Sequence, residues 1–128
     1  MRVLIDSHAL IWYVDQDKLL SLASHAAISD PSNDLLLSAG SIWEIGVKVG
    51  LGKILLTQPF KSWMNQAISD LDVTVLPLSV EYVDVQSKLP KHHGDPFDRL
   101  IVAQAIVEQI SIISADANLD AYGITRIW

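Results

Sequence analysis

Cysteine is absent from the chain, which excludes zinc ribbons, thiol catalysis and a disulfide scaffold and fits a reducing cytoplasm. Long apolar runs are absent too. Met1-Arg2-Val3-Leu4-Ile5 is cut off by Asp6, too early for a signal-peptide core. Nothing approaches the ~20 apolar residues of a membrane span. A cytoplasmic protein without a membrane partner is expected. There is no GxGxxG, no P-loop and no Gly-x-Ser-x-Gly elbow. Asp6-Ser7-His8 lacks the second aspartate that phospho-aspartyl phosphatases place two residues on, which disfavours a phosphatase or receiver-like domain. Positive charge is scarce, with 9 Lys and Arg against 15 Asp and Glu and a net charge of -6. That balance opposes default binding to nucleic acid.

What is present is apolar patterning. Half of the 128 residues are apolar, enough for one globular domain over 1–128 with a real core. Val3-Leu4-Ile5, Leu35-Leu36-Leu37, Val73 to Leu76 and Ile110 to Ile113 read as buried strands, with Ile124 to Ile127 a short edge strand. Helical patterns cover roughly 19–29, 41–50, 59–70, 79–88 and 96–109. Pro59 and Pro96 each stand where a first helical residue is expected. Apolar strands without alternation, separated by helices, predict a three-layer α/β/α sandwich around a mainly parallel sheet of four or five strands.

Four acids fall where such a fold gathers ligands. Asp6 follows the first strand and Asp116 the fourth, and ligands collect beyond the carboxyl ends of parallel strands. Glu44 and Asp98 lie near helix starts. Each acid has a plain alternative as a helix cap. Asp6 and Asp116 can cap the turns that follow them, and Ser41 with Glu44 and Asp95 with Asp98 have capping-box spacing. Asp98, however, heads the apolar stripe Ile101, Val102, Ala105 and Ile106, so it should face the sheet. Ser41, Glu44 and Lys48 form the one polar stripe of an apolar helix. Carboxylates clustered on an apolar background repel one another and favour a bound cation, and oxygen ligands without cysteine suit Mg²⁺ or Mn²⁺. Without these four acids the balance is 9 against 11, or -2.

His92 and His93 adjoin the Asp95 helix start and offer metal ligation. Neighbouring histidines point different ways and no His-x3-His pair exists, so a solvated, partly cationic loop able to touch phosphate is expected instead of a zinc or iron site. His8 and His25 read as partly buried helix residues. Trp12, Trp43, Trp63 and Trp128 read as core or interface residues in preference to base-stacking platforms.

The blocks Asp6-Ser7-His8-Ala9-Leu10-Ile11-Trp12, Leu37 to Ile45 with Ser41-Ile42-Trp43-Glu44, Asp95-Pro96-Phe97-Asp98-Arg99 and Ile113-Ser114-Ala115-Asp116 together resemble PIN domains, in order and over the whole chain. The Asp95-Pro96-Phe97-Asp98-Arg99 and Ser41-Ile42-Trp43-Glu44 blocks together resemble the VapC-type toxins of bacterial and archaeal toxin–antitoxin pairs. The resemblance implies a Mg²⁺- or Mn²⁺-dependent ribonuclease with one or two ions held by Asp6, Glu44, Asp98 and Asp116. It implies supporting roles for Ser114, Ser7 and Asp95. It also implies an RNA substrate, a small antitoxin protein and a homodimer. Leu119 departs from the aromatic residue frequent after the last acid, and Ser7 from the common threonine. Lys48, Lys91, His92, His93 and Arg99 are candidates for a basic rim toward RNA. The alternatives are an i,i+4 pair with Glu44 for Lys48 and a structural ion pair for Arg99. A rival reading is a catalytically silent PIN-like RNA- or protein-binding module, which would be expected to lose one or more acids. A DNA-directed structure-specific nuclease would carry further acids and DNA-binding elements.

Overall fold

The structure, a computed structural model, describes residues 1–128. In chain order its elements are β1 (Arg2–Ile5), α1 (Ser7–Val14), α2 (Leu22–Ser29), β2 (Asp34–Ser38), α3 (Ala39–Gly50), α4 (Phe60–Asp70), β3 (Thr74–Leu76), α5 (Val80–Lys88), α6 (Pro96–Glu108), β4 (Ser111–Ile113), a 3-10 turn (Ala117–Tyr122) and β5 (Arg126–Ile127). The five strands form one sheet in the order β3-β2-β1-β4-β5. Every pairing is parallel. The chain winds outward from β1 to β3 and then crosses back to β4 on the other side of β1. The winding direction therefore reverses between β1 and β4, and a crevice opens at their carboxyl ends.

Successive strand residues point to opposite faces, and both faces are covered. Val3, Ile5, Leu35, Leu37 and Ile113 meet Leu10, Ile28, Ile45 and Trp63, which come from α1, α2, α3 and α4. Leu4, Leu36, Leu76 and Ile112 meet Tyr82 of α5 and Ile101, Val102 and Ala105 of α6. Each fully buried Leu or Ile is worth about 1.5–3 kcal/mol relative to exposure. The unbroken apolar strand runs are thus explained by two cores, one on each side of the sheet. Leu119 is fully buried in the second core, so its departure from the family pattern is a matter of packing.

Several boundaries differ from the sequence reading. Residues 7–14 form a full helix, α1, which the periodicity missed because Ala9, Leu10 and Ile11 are consecutive buried residues. Pro96 is the first residue of α6, but Pro59 precedes α4 as its cap and makes no side-chain cap hydrogen bond. α3 begins at Ala39, with Ser38 Oγ accepting from the Gly40 amide at 3.1 Å. Ser41 is therefore inside the helix and is not its cap. His8 and His25 do lie on helices but are exposed, stacked against Trp12 and Tyr13 respectively.

Candidate active site

Asp6 sits at the carboxyl end of β1, where its side chain does two jobs. One carboxylate oxygen accepts from the Ser7 amide at 2.7 Å and caps α1. The other accepts from Ser114 Oγ, also at 2.7 Å. Ser114 follows β4, and its Oγ in turn accepts from the Asp116 amide at 3.0 Å. A single hydroxyl thus ties the acid after β1 to the acid after β4 across the crevice. Asp116 also caps the 3-10 turn through the Asn118 amide at 3.0 Å. The capping readings of Asp6 and Asp116 and the clustering of these acids are both realised, because a carboxylate has two oxygens.

Glu44 reaches the same place from α3. It is 4% exposed, the most enclosed acid of the chain. Freed from any capping box, its Oε1 accepts from Ser7 Oγ at 2.6 Å and its Oε2 meets Lys48 Nζ at 2.6 Å. The Glu44–Lys48 pair has the expected i,i+4 spacing. Burial works against the Lys48 charge, but Glu44, Asp95 and Asp98 more than offset it and hold the ammonium above its usual pKa. Lys48 is therefore the cation that the protein itself supplies to the cluster.

Asp98 stands in the first turn of α6, positioned by Asp95. Asp95 accepts from the amides of Phe97 at 2.9 Å and Asp98 at 3.2 Å, which makes it the N-cap. Asp98 has no strong partner of its own. Burial, followed by the charges of Asp6, Asp95, Glu44 and Asp116, pushes its carboxyl up to about 7. All three other candidate acids thus act on Asp98. The Asp6 carboxyl is also raised, first by burial and further by Glu44. The hydrogen bonds from Ser114 and Ser7 and the charge of His8 oppose that rise.

The donor set fits a hard divalent cation. The four carboxylates are oxygen ligands, no thiolate competes, and the repulsion that raises Asp98 is relieved by positive charge. His93, Asp98 and Asp116 each present a ligand atom, and these atoms lie within 4.8 Å of one another.

The basic rim is only partly realised. Lys91 and His92 are exposed on the loop between α5 and α6. Arg99 points away from solvent into four oxygens: the carbonyls of Gln86, Leu89 and Pro90 and the hydroxyl of Tyr122. Its guanidinium holds that loop against α6. The role is structural, but the partners are carbonyls and not the acid expected of an ion pair. His93 turns inward and is no part of a solvated rim.

Of the tryptophans, Trp63 is buried, and Trp12 packs on Trp128 with ring centroids 5.8 Å apart. Trp43 lies outside the core. It is 64% exposed, and its ring meets Phe97 edge-on at 5.5 Å. In the chain these two aromatic residues immediately precede Glu44 and Asp98. Tyr122 went unnoticed in the sequence, since no spacing links it to the His92-His93 loop that it supports.

The family model of the PIN domain matches residues 3–124. Ribonuclease VapC22 of Mycobacterium tuberculosis is 31% identical over 122 residues, covering 94% of this chain and 91% of that protein. Among solved structures, VapBC2 of Rickettsia felis bound to a promoter DNA fragment is similar with a TM-score of 0.73 at 12% identity, covering 98% of this chain and 97% of that one. FitAcB of Neisseria gonorrhoeae is similar with a TM-score of 0.65 at 16% identity, covering 97% and 95%. No helix is long and apolar enough to cross a membrane.

Proposed function

Because the chain belongs to the PIN-domain family, we propose that it is a divalent-metal-dependent endoribonuclease and the toxin of a toxin–antitoxin pair. The observation that carries the reading is the convergence of four acids from distant parts of the chain on the crevice between β1 and β4, with Asp98 held near pKa 7 by its neighbours. Likeness to a VapC ribonuclease over nearly the whole chain supports RNA as the substrate.

Asp6, Asp98 and Asp116 are read as the main metal ligands. Glu44 is read as a further ligand or as the group that orients the attacking water. When bound, one or two Mg²⁺ or Mn²⁺ ions supply Lewis-acid stabilisation of the phosphodiester and a more acidic water. The protein's own part is positioning. Ser114 fixes Asp6 relative to Asp116, and Ser7 fixes Glu44. Asp95 sets the first turn of α6 from which Asp98 projects. Lys48 brings positive charge to an otherwise anionic crevice and so lowers the barrier to an approaching phosphate.

The retention of all four acids favours an active enzyme over a silent binding module. A small antitoxin protein and a homodimer complete the reading, and 128 residues with the exposed apolar side chains Val47, Leu51, Leu55 and Val80 offer surface for such partners. The deciding experiment is RNA cleavage by Asp98→Asn in Mn²⁺ and in Mg²⁺. The variant is expected to fold and to lose at least a hundredfold in rate, since the charge that binds the ion is gone (about 3 kcal/mol of barrier). Cleavage at the wild-type rate overturns the assignment.

A further inference from the structure

The loop between α5 and α6 carries two adjacent histidines with opposite environments. His92 is exposed, its ring edge-on to Tyr122 at 4.9 Å. His93 is turned in. Its Nε2 is closed off from solvent and has no hydrogen-bond partner. A buried polar atom left without a partner is costly, so it needs an explanation. Its near neighbour is Asp98 Oδ2 at 3.9 Å, too far for a hydrogen bond.

We propose that His93 is a direct nitrogen ligand, through Nε2, of the divalent ion held by Asp98 and Asp116, which makes the site a mixed imidazole–carboxylate centre. The inference rests on the reading above that these acids hold an ion. Two ligands at about 2.1 Å from one ion lie roughly 3.0 Å apart when cis and 4.2 Å apart when trans. The 3.9 Å between Nε2 and Asp98 Oδ2 falls inside that span. The ligand atoms of all three residues lie within 4.8 Å of one another, so one ion placed among them can draw all three in.

The other ring nitrogen is already held. His93 Nδ1 is 3.2 Å from Tyr122 Oη. Coordination through Nε2 leaves the proton on Nδ1, which then donates to the tyrosine oxygen. Tyr122 Oη also accepts from Arg99 Nη1 at 3.3 Å, and Arg99 is locked by the carbonyls of Gln86, Leu89 and Pro90. Metal-bound imidazoles are characteristically oriented in this manner, by an acceptor on the second nitrogen. Arg99 and Tyr122 are positioning residues in this chain of contacts. Mg²⁺ prefers oxygen and water, whereas Mn²⁺ accepts imidazole more readily, so the geometry favours Mn²⁺.

The test is Mn²⁺ binding to the full chain without RNA, read by electron spin-echo envelope modulation and by titration of free Mn²⁺. The wild type is expected to show nitrogen modulation from a directly bound imidazole. His93→Gln is expected to lose that modulation and to bind Mn²⁺ about tenfold more weakly, with Mg²⁺ affinity much less changed. Tyr122→Phe should keep the modulation but weaken Mn²⁺ binding several-fold. Its melting temperature, and that of His93→Gln, taken without metal, separate ligation from misfolding. Bound Mn²⁺ without nitrogen modulation in the wild type, or modulation unchanged in His93→Gln, overturns the inference while leaving the carboxylate site intact. No Mn²⁺ binding by the wild type overturns both readings.

Discussion

Asp98 shows how a single side chain records the electrostatics of its neighbours. Its folded pKa of about 7 lies above the ordinary 3.8. The folded state therefore binds more protons than the unfolded state between pH 4 and 7, and stability of the metal-free protein falls as pH rises through that window. The cost is fully present above pH 7. Asp98→Asn should accordingly raise the metal-free melting temperature at pH 8 by a few degrees, about 1–2 kcal/mol after discounting for solvent, and hardly at all at pH 4. A melting series from pH 4 to 8 checks the sign. Ser7 has the opposite character. Its hydroxyl satisfies a buried oxygen of Glu44. Ser7→Ala should destabilise by about 1–2 kcal/mol in a denaturant titration, because the acceptor is left short of a donor.

At the scale of elements, α3 and α6 approach closely because Gly40 has no side chain. A Cβ there would run into Leu100 Cδ2. Gly40→Ala should cost about 1–3 kcal/mol and also blunt metal binding, since these two helices carry Glu44 and Asp98. Paired measurements of melting and Mn²⁺ affinity would reveal the coupling. The elements themselves were largely readable. Alternate burial is invisible in a run such as Leu35-Leu36-Leu37, but the run itself marks a strand covered on both sides. α1 was not readable by periodicity, and Ser38 as the cap of α3 was hidden by the better-looking Ser41-Glu44 spacing. Asp6 and Asp116 stood out because they follow strand ends, and Asp98 because it lies in the first turn of α6, whereas Glu44 lies in the second turn of α3 and stood out only as part of that helix's polar stripe. The inward turn of His93 was not legible. Two adjacent histidines look alike until a tyrosine 29 residues away and an arginine fix one of them.

For the whole molecule, the four acids supply most of the negative charge, since the balance without them is 9 against 11, or -2. With a formal charge of -6, the crevice is a place of stored repulsion. A divalent ion at a hundred times its dissociation constant should stabilise the fold by about 2.7 kcal/mol and raise the melting temperature in a concentration-dependent way. A melting temperature indifferent to Mn²⁺ from micromolar to millimolar would contradict the reading. The strand order carries a further consequence for synthesis. β1 lies at the centre of the sheet, and its neighbour β4 is made long after it. Asp6 and Glu44 leave the ribosome long before Asp98 and Asp116, and Ser114 cannot bridge the crevice until β4 has docked. The acid cluster is thus complete only after the crossover that returns the chain from β3 past β1 to β4.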